Sequence, residues 1–452
     1  MADVRSERLA PRVLAALEEA AVPVTSDPDV LAGHAVDWTG RWTGPVLGLV
    51  APTSTDQVAA VLAIARRHGV AVQVQGGNTG LVGGSVPDRP ALLLRTTSLT
   101  GMGPIDVHER TIVAGAGVTA AALARRAGSA GLRFGVDLAS RDSATVGGMA
   151  ATNAGGIQVG AFGMMREQVR GVVAVLADGR IVRTIGRPRK DNAGLDLTGL
   201  LVGSEGILGV ITEVEVTLHP EPPASSVALL GASSLADAVR MVDHVRASGA
   251  RVLAAEVVDA AGVARAAAML GRPDPLEGRA DWLLLLEVAD GATGAGVASV
   301  ADGVIAVATE PADRRRLWSY REIQTEAYAA TGRLRLEKLD VSFRLDALDE
   351  GVAEIRRAVH RRGPTGAAVG IFGHALDGNL HVQLLGADPG TAREVLTVVA
   401  ALGGSISAEH GIGRLKADLL GLARGADEVA WMCQIKATVD PEGLLNPGVL
   451  LG

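Results

Sequence analysis

Three of the nine histidines in this 452-residue chain, His374, His381 and His410, fall close together. His374 and His381 flank Asp377-Gly378-Asn379, a turn signal between two strand-like runs at 367–372 and 380–385, and a tight turn there would carry both imidazoles to one side. Glu409 and His410 follow in Ser407-Ala-Glu-His-Gly411, read as the end of a strand and the start of a helix. Two imidazoles and one carboxylate leave coordination positions open, the donor set of a catalytic rather than a structural divalent-metal site. Either segment alone is better explained by a polar turn with surface histidines. Both together, in a chain with so few histidines, point to a functional cluster.

A second group of residues is suited to holding a ligand. Gln75–Ser85 carries five glycines in eleven residues and continues from the strand-like Val72-Gln73-Val74. Backbone N–H groups at such a strand end form an anion-binding nest, although a hairpin tip would also be glycine-rich. Ser143–Gly156 is built almost wholly from small residues, where a core segment would favour larger ones. Leu201–Thr212 is a third Gly/Ser-rich loop and feeds a strand. Three such loops in one region favour one extended nucleotide-type ligand over three unrelated hairpins. Gly115-Ala-Gly117-Val-Thr-Ala120 also fits a loosened dinucleotide fingerprint, with Asp137 about twenty residues on. Its place after several strands, without a clear second parallel strand, argues against a nicotinamide site.

The elements that must position these residues can be read in order. Leu9, Val13, Leu14 and Leu17 define a helix over residues 6–20, Val46–Val50 a strand, and Ser54 caps a helix reaching His68. Strands follow at 70–75, 92–94, 111–114 and 171–177, with a helix at 120–127 between the last two. Pro220-Glu-Pro-Pro223 breaks the chain and marks the best domain boundary. Beyond it, apolar runs at 227–230, 252–258 and 282–288 alternate with helices at 235–246 and 260–270, an α/β pattern. Ala289–Gly303 reads as a surface connection. The stretch Trp318–Thr325 reads as helical and places Arg321 and Thr325 on one face, and Lys338 precedes a strand at 339–343.

Composition narrows the field. The length calls for two or three domains. A net charge of −7 with no basic patch argues against nucleic acid as the main partner. One cysteine, Cys433, excludes disulfides and cysteine-only metal sites within the chain and fits a reducing compartment. No cleavable leader and no run of ~18 apolar residues appears, so the expectation is a cytoplasmic protein, at most peripheral to a membrane.

The segments Gln75–Ser85, Thr145–Gly156 and Leu201–Gly209 resemble the FAD-binding domain of the vanillyl-alcohol oxidase/para-cresol methylhydroxylase superfamily. Within it the chain looks most similar to the D-lactate, glycolate and D-2-hydroxyglutarate dehydrogenases, in order over roughly residues 35 to 450. The resemblance implies an α+β fold with an N-terminal helical segment over 1–43, a two-subdomain FAD-binding PCMH-type domain over 44–221, and a substrate- and metal-binding α/β cap over 222–452. In the first loop it implies cofactor contacts from Gln75, Gly76, Gly77, Asn78, Thr79 and Gly80, then Leu81, Gly84 and Ser85. In the middle of the domain it implies Asp137, Thr145, Gly147, Gly148 and Ala151, then Asn153, Gly155 and Gly156. Glu205, Gly206, Gly209, Val210 and Ile211 would run along the adenosine side, and Asn446 would stand near the flavin. Asn78 occupies a position where some relatives link flavin through histidine, so FAD would be non-covalent.

The same resemblance gives His374, His381 and Glu409 as ligands of a divalent metal, zinc or manganese, and His410 as the catalytic base, in contact with substrate. Arg321, Thr325, Lys338 and Gln383 would bind substrate, Arg321 through a bidentate pair with a carboxylate. The implied reaction oxidises a D-2-hydroxyacid to the 2-oxoacid, with hydride to flavin N5, the hydroxyl proton to His410 and the metal on the hydroxyl. Leu195, Leu376 and Gln383 depart from the residues common at those positions; the first bears on local packing or access, the other two on substrate identity. Electrons would leave to a quinone, an electron-transfer flavoprotein, a cytochrome or oxygen, and a homodimer remains open. A rival of another class is a metal-dependent hydrolase or lyase whose glycine loops hold a phosphorylated substrate.

Overall fold

The computed structural model describes residues 4–222, 224–289, 303–330 and 334–452. Pro223 of the boundary segment and nearly all of the 289–303 connection lie outside the described residues. The described chain forms two units. One comprises residues 1–156, 163–221 and 409–452, and the other residues 157–162 and 222–408.

The first unit begins with helix α1 (Val4–Glu19) and contains two sheets. Strands β1 (Val24–Thr25), β2 (Val46–Val50), β3 (Ala71–Gln75) and β4 (Ala91–Arg95) form the smaller one in the order β1-β2-β4-β3, with β2, β4 and β3 parallel. The parallel crossover from β2 to β3 is helix Thr55–His68. Ser54 accepts the Gln57 N–H at its start and Gly69 at φ +63° closes its end. Val58, Val61, Leu62 and Ala65 bury its inner face against Val72, Leu92 and Leu94.

The second sheet of this unit is antiparallel. It is built from β5 (Thr111–Gly115), β7 (Val169–Val175), β8 (Ile181–Arg183) and β9 (Val210–Pro220) in the order β5-β9-β7-β8, with β6 (Leu132–Phe134) also paired to β9. Helices Ala120–Gly128 and Val146–Thr152 pack on it through Leu123, Val146, Met149 and Ala150. The small residues at 145–152 are thus partly a requirement of close helix–strand packing. The chain returns at its C-terminal end, where Leu444–Asn446 lie beside β3: Val72 N–H donates to the Leu444 carbonyl and Asn446 N–H to the Val72 carbonyl.

The second unit is organised on a seven-stranded antiparallel sheet. Its strands are β10 (Ser225–Ala232), β11 (Arg251–Asp259), β12 (Trp282–Ala289), β13 (Val304–Ala308), β14 (Leu336–Ser342), β15 (Ala368–His374) and β16 (Asn379–Leu385), in the order β13-β10-β12-β11-β15-β16-β14. Helices Ala260–Leu270 and Pro311–Glu322 cover one face through Val263, Ala266, Leu317 and Trp318, which pack with Val258 and Phe372.

Two local expectations change. The helical stretch expected through Trp318–Thr325 is interrupted: one helix ends at Glu322, Ile323 sits at φ −81° and ψ 0°, and a second runs Gln324–Ala329. Arg321 and Thr325 therefore do not share one continuous helical face. Residues 406–416 form neither strand nor helix, because Ser405 makes only an isolated bridge to Ser342 before a 3₁₀ turn at Ala417–Leu419.

Candidate functional site

In the second unit, strand register gathers the chemistry. Opposed residues in an antiparallel pair share a face, and residues two apart on a strand share it too. Glu256 stands opposite His374, Phe372 opposite His381, Asp340 opposite His381, and Lys338 opposite Gln383. One face therefore carries Glu256, His374, His381, Gln383 and Lys338 around Phe372. The turn at Asp377–Gly378 brings His374 and His381 to 5.4 Å between ring centroids at 80°, with one nitrogen of each within 4.8 Å of the other.

Glu256 is the hub of this face and was not legible as functional in the sequence, where it is one acid inside an apolar run. Its side chain has no exposed surface. Oε1 accepts from His374 Nδ1 at 2.5 Å and Oε2 from Arg321 Nε at 2.6 Å. Burial acts to raise its pKa, but His374 and Arg321 outweigh that and hold the carboxyl below its ordinary value. Arg321 is 12% exposed and lies 4.5 Å above the Phe372 ring. Gln383 is 3% exposed, and its Oε1 has no hydrogen-bond partner among the described residues. A buried amide oxygen in that state is costly unless another group satisfies it. Thr325 is half-buried and Lys338 is exposed. Leu376 packs over Gly160, where a Cβ would come within 2.3 Å of it.

These residues fit a divalent cation: two imidazoles converge, and one is fixed by a carboxylate at its other nitrogen, the arrangement that orients a metal-binding histidine. Glu409 is bonded to Ala408, the last residue of this unit, and both Glu409 and His410 belong by their surroundings to the first.

In the first unit the glycine loops have two separate causes. A Cβ on Gly77 would lie 1.9 Å from the Ser143 carbonyl oxygen, one on Gly147 2.4 Å from the Ala116 Cβ, and one on Gly156 2.0 Å from the Asp137 carbonyl oxygen. These glycines let backbone approach backbone. A Cβ on Gly80 would meet nothing within 4 Å. The N–H groups of Gly77, Asn78, Thr79 and Gly80 donate to no backbone carbonyl among the described residues. A run of undirected donors at a strand end suits the phosphates of a dinucleotide. The small Gly80 leaves room for the approach, and the cradle fits FAD.

Several side chains of this region are engaged within the protein. Gln75 Nε2 donates to the carbonyls of His34 and Ser85, its Oε1 bonds His34 Nδ1, and Arg95 contacts the other ring nitrogen of His34. Asn78 Nδ2 donates to the Val36 carbonyl and its Oδ1 accepts from Ser85 Oγ. Gln73 Nε2 donates to the Gly84 carbonyl, and Leu81 and Thr79 are half-buried. Thr145 Oγ1 accepts from Gly148 N–H, and Gly147 N–H donates to the Ala116 carbonyl. Asn153, at φ +51°, accepts from Arg166 N–H, while Arg166 reaches the carbonyls of Gly199 and Val202. Asp137 pairs with Arg141 at 3.1 Å, and burial raises its pKa against that cation and Arg133. Gly155 is buried in the turn after the 146–152 helix.

The third loop has its own hub. Glu205 N–H donates to the Ala151 carbonyl, and its carboxylate accepts the N–H groups of Ile412 and Gly413. Gly206 lies against Asn446, whose Nδ2 a Cβ there would approach to 2.4 Å. Gly209, Val210 and Ile211 enter β9 with Val210 and Ile211 buried. The glycines of the Gly115–Ala120 fingerprint are required by packing: a Cβ at Gly115 would lie 2.2 Å from the Leu99 carbonyl oxygen and one at Gly117 2.4 Å from that of Thr96. Leu195 is 83% exposed.

Comparison with known proteins agrees with this architecture. Residues 46–185 match the FAD binding domain family and residues 221–450 the FAD linked oxidases, C-terminal domain. D-2-hydroxyglutarate dehydrogenase, mitochondrial, from Bos taurus is 36% identical, covering 97% of this chain and 83% of its own. D-lactate dehydrogenase from Archaeoglobus fulgidus is 35% identical, covering 88% of this chain and 90% of its own. The solved structure of p-cresol methylhydroxylase with substrate bound superposes with TM-score 0.72 at 17% identity, over 99% of this chain and 97% of that one. The chain belongs to the FAD-linked oxidases, and it shares its fold with p-cresol methylhydroxylase. It is a flavoprotein oxidoreductase with a PCMH-type FAD domain and a C-terminal oxidase domain. Among the described residues no helix is long and apolar enough to cross a membrane.

Proposed function

We propose that this protein oxidises a D-2-hydroxyacid of the D-lactate, glycolate or D-2-hydroxyglutarate type to the 2-oxoacid. The observation that carries the reading is the sheet face that joins His374 and His381 to a carboxylate-held arginine, in a chain of the FAD-linked oxidases. His374 and His381, completed by Glu409, would hold a divalent metal, zinc or manganese. A metal bound there would acidify a coordinated hydroxyl, and FAD, for which Asn78 offers no linking side chain, would take up the two electrons as hydride. Arg321 would orient the substrate carboxylate, and Lys338, Thr325 and Gln383 would line its remainder. The unpartnered Gln383 Oε1 favours a substrate that offers a hydrogen-bond donor or a bridging water there. His410 would take the hydroxyl proton.

Anaerobic mixing with D-lactate, glycolate and D-2-hydroxyglutarate tests this reading. One of them should bleach the flavin absorption in a single turnover, and the bleaching should disappear in His410→Ala and after chelation. A flavin that none of the three reduces would sink the substrate assignment. Bleaching that persists in demonstrably metal-free protein would sink the metal's part in it.

A further inference from the structure

We propose that Glu256 is a positioning residue that sets the metal ligand and the substrate-anion receptor with a single carboxylate. The inference rests on the metal reading above and extends it. Glu256 lies in the interior of β11, opposite His374 in register, so its place relative to that ring is fixed by the sheet. Each carboxylate oxygen serves a different partner, His374 Nδ1 on one and Arg321 Nε on the other.

A buried ion pair kept only for stability would be a poor device, because desolvation cancels most of its attraction. The geometry here does more than pair charges. With Nδ1 donating to Glu256, His374 presents Nε2 as its metal-binding lone pair, and the carboxylate makes that nitrogen more basic. With Nε engaged, Arg321 meets an incoming carboxylate through its Nη1/Nη2 end, its plane steadied over Phe372. Glu256 and Arg321 also cancel in charge, so recognition of the substrate anion there depends on direction more than on net charge. Only a carboxylate can accept at both ends. A glutamine can serve His374 or Arg321, and its amide N–H group then opposes the other donor.

The test uses FAD-loaded protein stripped of metal and titrated with Zn²⁺ against a chromophoric chelator. Glu256→Gln should keep its flavin spectrum while its zinc Kd rises by about 10- to 100-fold and the KM for the hydroxyacid rises with it. A flavin-loaded Glu256→Gln protein whose zinc Kd stays within about twofold of the parent overturns the proposal. A parent that binds no zinc sinks the metal reading instead. The Arg321 arm then decides, and an unchanged KM in Glu256→Gln overturns what is left. If Glu256→Gln does not fold, ¹⁵N-histidine spectra of the metal-free parent replace it, with His374 assigned by its loss in His374→Gln. A proton on Nδ1 supports the proposal and a proton on Nε2 overturns it.

Discussion

Glu205 holds Ile412 by a hydrogen bond from the Ile412 backbone N–H to Oε1 at 2.8 Å, and its other oxygen takes the Gly413 N–H at the same distance. The third glycine loop thereby fastens the chain two and three residues after His410. Beside the cofactor role that the family resemblance implies for Glu205, its side chain reaches the segment that carries the proposed base.

Replacing Glu205 by glutamine leaves one acceptor for two donors and turns an amide N–H toward the second. The His410 segment should loosen while the loop backbone is retained. Flavin reduction by substrate should slow on the order of 10- to 100-fold, with FAD content unchanged. Stopped-flow reduction beside the flavin-to-protein absorbance ratio checks both halves, and a variant as fast as the parent would remove the positioning role.

The same carboxylate makes a pH prediction. Burial raises the Glu205 pKa above its ordinary value of 4.5, only partly opposed by the two N–H groups and Lys416. The folded state then holds this proton more tightly than the unfolded chain does. Its stabilising contribution is complete below 4.5 and is lost as pH rises through the raised folded value. Urea unfolding from pH 4.5 upward should show a downward component in the parent that is absent in Glu205→Gln.

Asn446 ties the cofactor loops together. Its Oδ1 accepts the Val74 N–H at 2.7 Å, just before the first loop, and its Nδ2 donates to the Glu205 carbonyl at 2.8 Å. Asn446→Ala strands both partners in a buried setting and should destabilise the protein by roughly 2–4 kcal/mol. FAD affinity should weaken in parallel, measured by urea midpoint and by flavin release on dilution. Loss of stability without any change in FAD affinity would confine the residue to tail docking.

Lys436 closes the C-terminal return. Its Nζ donates to the carbonyls of Ile207 and Leu445 and pairs with buried Asp440, which accepts the N–H groups of Leu444 and Leu445. Lys436→Met leaves Asp440 with two backbone donors and no cation, which should cost about 3 kcal/mol. Adding Asp440→Asn should recover part of that loss, and a double-mutant cycle of unfolding free energies measures the coupling.

Much of this protein is readable from local pattern. Short apolar runs gave β2, β11, β12, β15 and β16 to within a residue or two. Ser54 marked the start of the 55–68 helix, and Asp377-Gly378 marked the turn that pairs His374 with His381, because caps and tight turns depend on residues only a few positions apart. Where several weak signals coincided, as in the three glycine loops, the cofactor class was legible too.

What the sequence by itself determined was the inventory: a histidine pair on a hairpin, glycine-rich strand ends, and a family pattern that implies FAD. The tertiary structure decided how those residues are engaged. Glu256 is one acid among apolar neighbours until the β11–β15 register sets it against His374, with Arg321 on its other oxygen. Glu205 and Asn446 are 241 residues apart, and nothing local to either foretells that one side chain will hold the other's backbone. Hydrogen bonds of that kind depend on which strands become neighbours, which is fixed only when the whole apolar core assembles.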